Sequence, residues 1–206
     1  GESSTSSYSS DSRVLSLFLM NAALFSYCPN AMKLPAILLA LILTTMFSEP
    51  VRGLAFDKIQ NRNGIFYEVN QTTPFTGLLQ DFYSDGKKKL ELNYKDGKQQ
   101  GVATEWYRNG QKKSEVNCKD GKRHGVTTMW YINGKKKAEG NYKDGKRQGI
   151  VTVWFENGQK DTELNYKDGK QQGVATVWHK NGQKLSEVRF KDGKMQGMIT
   201  LWFENG

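Results

Sequence analysis

The chain is poor in the side chains that do chemistry. It has two histidines, His124 and His179, and two cysteines, Cys28 and Cys118, among 206 residues. Two distant cysteines make no disulfide framework, and neither they nor the histidines fall into a metal-ligand spacing. No glycine-rich phosphate loop opens a helix. No Ser/His/Asp or Cys/His set is arranged for nucleophilic attack. Apolar residues are 37% of the total, low for a compact globule. No helical period runs anywhere after residue 53. The apolar stretch from Leu34 to Phe47 is fourteen residues, too short for a comfortable membrane span. These gaps argue against an enzyme, a bound cofactor and a metal centre.

What the chain has is repetition. Asp-Gly-Lys begins at Asp96, Asp120, Asp144, Asp168 and Asp192, 24 residues apart each time. Gly77, Gly101, Gly125, Gly149, Gly173 and Gly197 keep the same period, and so do Trp106, Trp130, Trp154, Trp178 and Trp202, with Phe82 ahead of them. A fixed period of this length marks a repeat architecture. A low apolar total with 12% aromatics suits such an array, whose units bury one face against their neighbours. The frame divides residues 77–206 into 77–100, 101–124, 125–148, 149–172, 173–196 and a partial 197–206. Residues 54–76 form an atypical capping unit that contains the Asn63-Gly64 turn.

Each unit reads as two strands. Gly101 to Tyr107 is rich in β-branched and aromatic residues, and Asn109-Gly110 is a strong hairpin signal. The following run alternates in every copy, as in Leu90, Leu92, Tyr94 or Thr162, Leu164, Tyr166, with charged or amide residues between. Strict alternation predicts one buried and one wet face. Asp-Gly-Lys then turns the chain into the next unit. The expected fold is all-β: an elongated, single-sheet solenoid of hairpins, preceded by an N-terminal hydrophobic leader.

Register decides which column is buried. A three-residue loop, Arg108-Asn109-Gly110, places Trp106 on the face of Ser114, Val116 and Cys118. The expected core is therefore Phe82, Trp106, Trp130, Trp154, Trp178 and Trp202, one large ring per repeat. A sugar-stacking ladder is the rival reading of the same rings. Side chains next to each other on a strand face opposite ways. Tyr107, Tyr131, Phe155, His179 and Phe203 are therefore expected on the other face, partly exposed, as the candidate partner-binding column. His124 falls in a turn where other copies carry Gln or Met, and His179 replaces an aromatic residue, so neither reads as catalytic. Emptying the Trp130 or Trp154 site is expected to cost roughly 3–5 kcal/mol, while Tyr131→Ala and Phe155→Ala are expected to weaken partner binding and leave the fold largely intact.

The net charge is +9, and between residues 77 and 206 there are 25 Lys/Arg against 16 Asp/Glu. A basic surface favours acidic partners. Residues 1–31 carry no recognisable domain. Met32-Lys33, the apolar run and Ser48 to Gly53 read as a signal peptide or anchor over 32–53, with mature protein beginning near Leu54. The expected location is outside the cytoplasm: periplasmic, secreted or membrane-anchored.

From Phe75 to Gly206 the recurring Gly-x-x-x-x-Trp-aromatic-x-Asn-Gly, followed by aromatic-Lys-Asp-Gly-Lys, resembles the variant class of MORN (membrane occupation and recognition nexus) repeats. It is similar to bacterial exported and antitoxin-type proteins built from such arrays. The resemblance implies a scaffold that binds a protein partner without catalysis. The alternative is binding of an anionic membrane surface or cell-wall polymer through the basic aromatic face. Nucleic acid is disfavoured as a partner.

Overall fold

The computed structural model describes residues 53–203. The leader up to Arg52 and the last turn, at Gly206, lie outside the described residues. A short N-terminal strand, β1 (Leu54–Ala55), precedes the hairpin β2 (Ile59–Arg62) and β3 (Ile65–Glu68). The array follows as β4 (Gly77–Phe82), β5 (Lys88–Lys95), β6 (Lys98–Gln99), β7 (Gly101–Trp106), β8 (Lys112–Lys119) and β9 (Lys122–Trp130). It continues through β10 (Lys136–Lys143), β11 (Lys146–Trp154), β12 (Lys160–Lys167), β13 (Lys170–Gln171), β14 (Gly173–Trp178), β15 (Lys184–Lys191) and β16 (Lys194–Leu201). Every strand except β2 and β3 belongs to one 14-stranded sheet. Its pairs are antiparallel except β1 with β4. The fold is all-β, a long single sheet of hairpins, and no α-helix occurs among the described residues.

Two kinds of turn alternate. The Asp-Gly turns are two-residue loops in which both residues have positive φ, 50° at Asp144 and 83° at Gly145, with Lys143 paired to Lys146. That is the mirror-image turn whose twist suits a hairpin. The Asn-Gly loops are one residue longer. The Tyr131 N–H donates to the Lys135 carbonyl and the Gly134 N–H to the Tyr131 carbonyl, with Gly134 left-handed. The three-residue loop deduced from sequence is therefore present.

The face deduced from it is not. Three residues beyond the glycine of each loop, a bulge shifts the register. Trp106 pairs with Lys112, but Glu105 pairs with Ser114, leaving Lys113 as the extra residue. Lys89, Lys137, Asp161 and Leu185 are the corresponding extras in the other hairpins. A one-residue slip reverses every side chain beyond it. Ala103 therefore joins Val116 and Cys118, and Val102 and Thr104 join Asn117 and Glu115 on the opposite face. The expected tryptophan core is corrected accordingly. Trp106, Trp130, Trp154 and Trp178 are only half-buried, and Phe82 and Trp202 are exposed.

The core is built from the alternating strand and its true partners. Leu79, Leu92, Ala103, Val116, Ala138, Val151, Leu164, Ala175, Val177 and Val188 are buried, with Tyr94, Cys118, Tyr142 and Tyr166. A flat single layer cannot bury side chains this fully, so the sheet must turn a corner. Between β8 and β9 the pairing jumps from Val116–Thr127 to Cys118–Arg123, and Gly125 between them has a φ of 97°. The same irregularity falls at Gly149 and Gly197. The face that carries Leu92, Val116, Val151, Leu164 and Val188 is the inner face.

The β2–β3 hairpin closes the N-terminal end of the inner face. Phe66 and Phe75 lie against the Tyr94 ring, at centroid distances of 5.0 and 5.9 Å. The Phe66 N–H donates to the Gly97 carbonyl, and the Gly97 N–H to the Phe75 carbonyl. These contacts cover a ring whose counterparts inside the array, Tyr142 and Tyr166, meet Arg123 and Arg147 of the preceding repeat, as terminal units of repeat proteins do.

Candidate binding faces of the hairpin array

On the outer face lysine, glutamate and tryptophan side chains tie successive repeats together. Lys88, Lys112, Lys136, Lys160 and Lys184 each donate to the glutamate three residues on, at 2.5–2.7 Å. Four of these ammonium groups also stand over a tryptophan of the following repeat: Lys88 over Trp106, Lys136 over Trp154, Lys160 over Trp178 and Lys184 over Trp202, at 5.5–6.0 Å. The hydrogen bonds from Lys88 and then Gln80 hold Glu91 below the usual carboxylate range, against the effect of burial. Buried threonines lie beside these carboxylates, and Thr128 and Thr176 contact Glu139 and Glu187. The tryptophans are thus lids and cation platforms on a solvent-facing surface.

Beside them runs an apolar column that the sequence reading missed. Val102, Val126, Ile150 and Val174 are between 42% and 59% exposed. They stand opposite Asn117, Asn141, Asn165 and Arg189 on the neighbouring strands. The available signal was a β-branched residue right after each period glycine. It was masked by assigning that parity to the core.

The Tyr107 column lies on the inner face, at the loop end. Parity against the tryptophans holds, and Tyr107, Tyr131, Phe155 and His179 are half-buried while Phe203 is 81% exposed. The tyrosines are already engaged. The hydroxyls of Tyr83, Tyr107 and Tyr131 donate to the carbonyls of Trp106, Trp130 and Trp154, at 2.6, 2.8 and 2.7 Å. Each clamps its hairpin to the next, and burial raises the Tyr107 and Tyr131 phenols above their ordinary range. Phe155 and His179 have no hydroxyl to continue the ladder. Nearby, Lys113 donates to Glu105 at 2.8 Å; burial alone would lower the lysine, but Glu105 raises it. Asp161 takes the place of that lysine two repeats on. Burial pushes its carboxyl up despite the Thr162 hydroxyl.

At the turn end of the inner face, arginines interleave with the buried tyrosines. Arg147 donates to the hydroxyls of Tyr142 and Tyr166 at 3.2 and 3.0 Å, and Arg123 lies 5.2 Å from the Tyr142 ring centroid. Among the described residues no three His, Cys, Asp or Glu side chains gather closely enough to hold a metal ion.

The period, the paired turns and the interlocked hairpins have a counterpart in one family model. The MORN repeat variant matches residues 75–96, 99–120, 123–144, 147–168 and 171–192. The chain belongs to that family. MORN repeats are in general binding modules for proteins or membranes. Comparison with curated proteins returns no match. Each matched segment ends at the aspartate of an Asp-Gly turn, and the Gly-Lys that follows lies outside it.

Proposed function

We propose that this MORN array is a non-catalytic, exported scaffold whose outer face docks a protein partner. The exposed column Val102, Val126, Ile150 and Val174 carries this reading. Four β-branched residues in register make a stripe that water does not favour, and a partner would cover it. The half-buried tryptophans beside the stripe add the ring type most enriched at the energetic centres of interfaces. The inner face suits this role less well, because its tyrosine hydroxyls are spent on neighbouring repeats. An antitoxin role would make the partner a toxin, and the product of a neighbouring gene is the first candidate to try.

The test is capture of that candidate by wild-type protein and by two variants. Val126→Glu with Ile150→Glu should abolish capture without changing the far-UV circular dichroism. Tyr107→Phe, on the inner face, should retain it. Capture that survives the outer-face change refutes the assignment. Export has its own check. N-terminal sequencing of secreted or periplasmic material should start near Leu54, whereas cytoplasmic protein beginning at or before Met32 would contradict it.

A further inference from the structure

We propose that the Asp-Gly edge of the sheet binds a linear phosphate polymer through a row of ten lysines. Each turn is bracketed by a cross-strand lysine pair: Lys95–Lys98, Lys119–Lys122, Lys143–Lys146, Lys167–Lys170 and Lys191–Lys194. All ten are exposed. The turns are bonded into a continuous edge, because the N–H of Gly121, Gly145, Gly169 and Gly193 donates to the carbonyl of Gln99, Arg123, Arg147 and Gln171. Two strands per repeat, at about 4.8 Å each, space the pairs about 10 Å apart, so five pairs extend over about 40 Å.

The charge on this edge is left open, unlike the charge elsewhere. Among the described residues the ion pairs of the array engage Lys87, Lys88, Lys89, Lys112, Lys113, Lys136, Lys160 and Lys184, and none of the ten. The aspartates of the turns point along the edge instead. Asp120, Asp168 and Asp192 accept from the amides of Gln100, Gln148 and Gln172, and Asp144 meets His124. Like charges directly across a strand pair destabilise a sheet. Five such pairs stand in register, and the aspartate that each one brackets offsets only part of their charge.

The shape of the row selects the ligand. It is one pair wide and five repeats long, which fits a chain. All ten cations are lysine, a point charge that tolerates phosphate at many positions, where arginine favours planar bidentate groups. Single-stranded nucleic acid binding adds aromatic platforms for the bases. Here Tyr94, Tyr142 and Tyr166 are buried on the inner face and the tryptophans lie at the other end of the strands. That leaves a phosphate backbone without bases.

The experiment titrates the full chain with long-chain inorganic polyphosphate. Wild type should bind with an affinity that falls by roughly a thousandfold or more between ~50 and ~200 mM salt. Replacing Lys119, Lys122, Lys143 and Lys146 by Gln should weaken binding by about tenfold or more at fixed salt. A control with the same charge change at the opposite loop edge, replacing Lys87, Arg108, Lys135 and Lys180 by Gln, should change it by less than about threefold. Equal loss in both sets would overturn the proposal, since net charge alone would then explain binding. Tighter binding to phosphatidylserine vesicles or to single-stranded DNA than to polyphosphate would overturn it as well. The outer-face variant Val126→Glu with Ile150→Glu carries its changes in the apolar column, so the two proposals fail independently.

Discussion

Leu164 and Trp154 belong to one hairpin, but only the leucine is sealed from water, at 1% exposure. Leu164→Ala leaves a cavity beside its cross-strand partner Val151 and should cost about 2–5 kcal/mol. Trp154→Ala removes a half-exposed platform for Lys136 and should cost clearly less. Urea denaturation of both variants orders the two. Asp161 gives the second test at this scale. Its carboxyl is raised by burial, so its ionised form disfavours the folded state. Its contribution is present at low pH and is lost as pH rises through the raised value. Asp161→Leu, the residue that Leu185 supplies one repeat later, should therefore raise the melting temperature at neutral pH. It should also weaken the dependence of stability on pH across the carboxylate range. A variant that melts lower at neutral pH would contradict this.

The residue scale also shows why the buried face was misread. The alternating strand was legible, because Leu90, Leu92 and Tyr94 and their copies differ in polarity from what lies between them. The first strand of each unit was not. Its two parities hold Val102, Thr104 and Trp106 against Ala103 and Glu105, and size favours the wrong set. The correct set is chosen by the bulge at Lys113, and nothing about a lysine announces a bulge. A long side chain with a charged end is at home on either face near a loop.

At the scale of the hairpin, the loops and turns were legible because Asn-Gly and Asp-Gly have narrow backbone preferences. The contacts between hairpins were not, since they depend on which carbonyl a tyrosine reaches. The hydroxyl ladder through Tyr83, Tyr107 and Tyr131 stops at Phe155. Phe155→Tyr should extend it to the Trp178 carbonyl and add about 0.5–1.5 kcal/mol, the usual net worth of one hydrogen bond. Tyr131→Phe should remove about as much. Thermal melts of the reciprocal pair check both signs. If the added hydroxyl destabilises, the clamp is not what the Tyr107 column contributes.

In the whole array, each repeat touches its neighbours and little else, so a feature of one unit becomes a column of the molecule. The inner columns are core and clamps. The outer columns are Thr, Glu and Lys around half-buried tryptophans, then exposed Val and Ile, then the lysine edge. A docking face must be reachable, so this assignment of faces decides where a partner can sit. All five tryptophans of the chain stand in one outer column, so their fluorescence reports that column and nothing else. The most direct measurement is iodide quenching of the folded protein, compared with the same chain in denaturant. The predicted result is emission shifted to the red of a buried indole and quenched by iodide to a large fraction of the unfolded value. Blue-shifted emission that iodide reaches only after unfolding would contradict the assignment, and with it the outer face as the place where a partner docks.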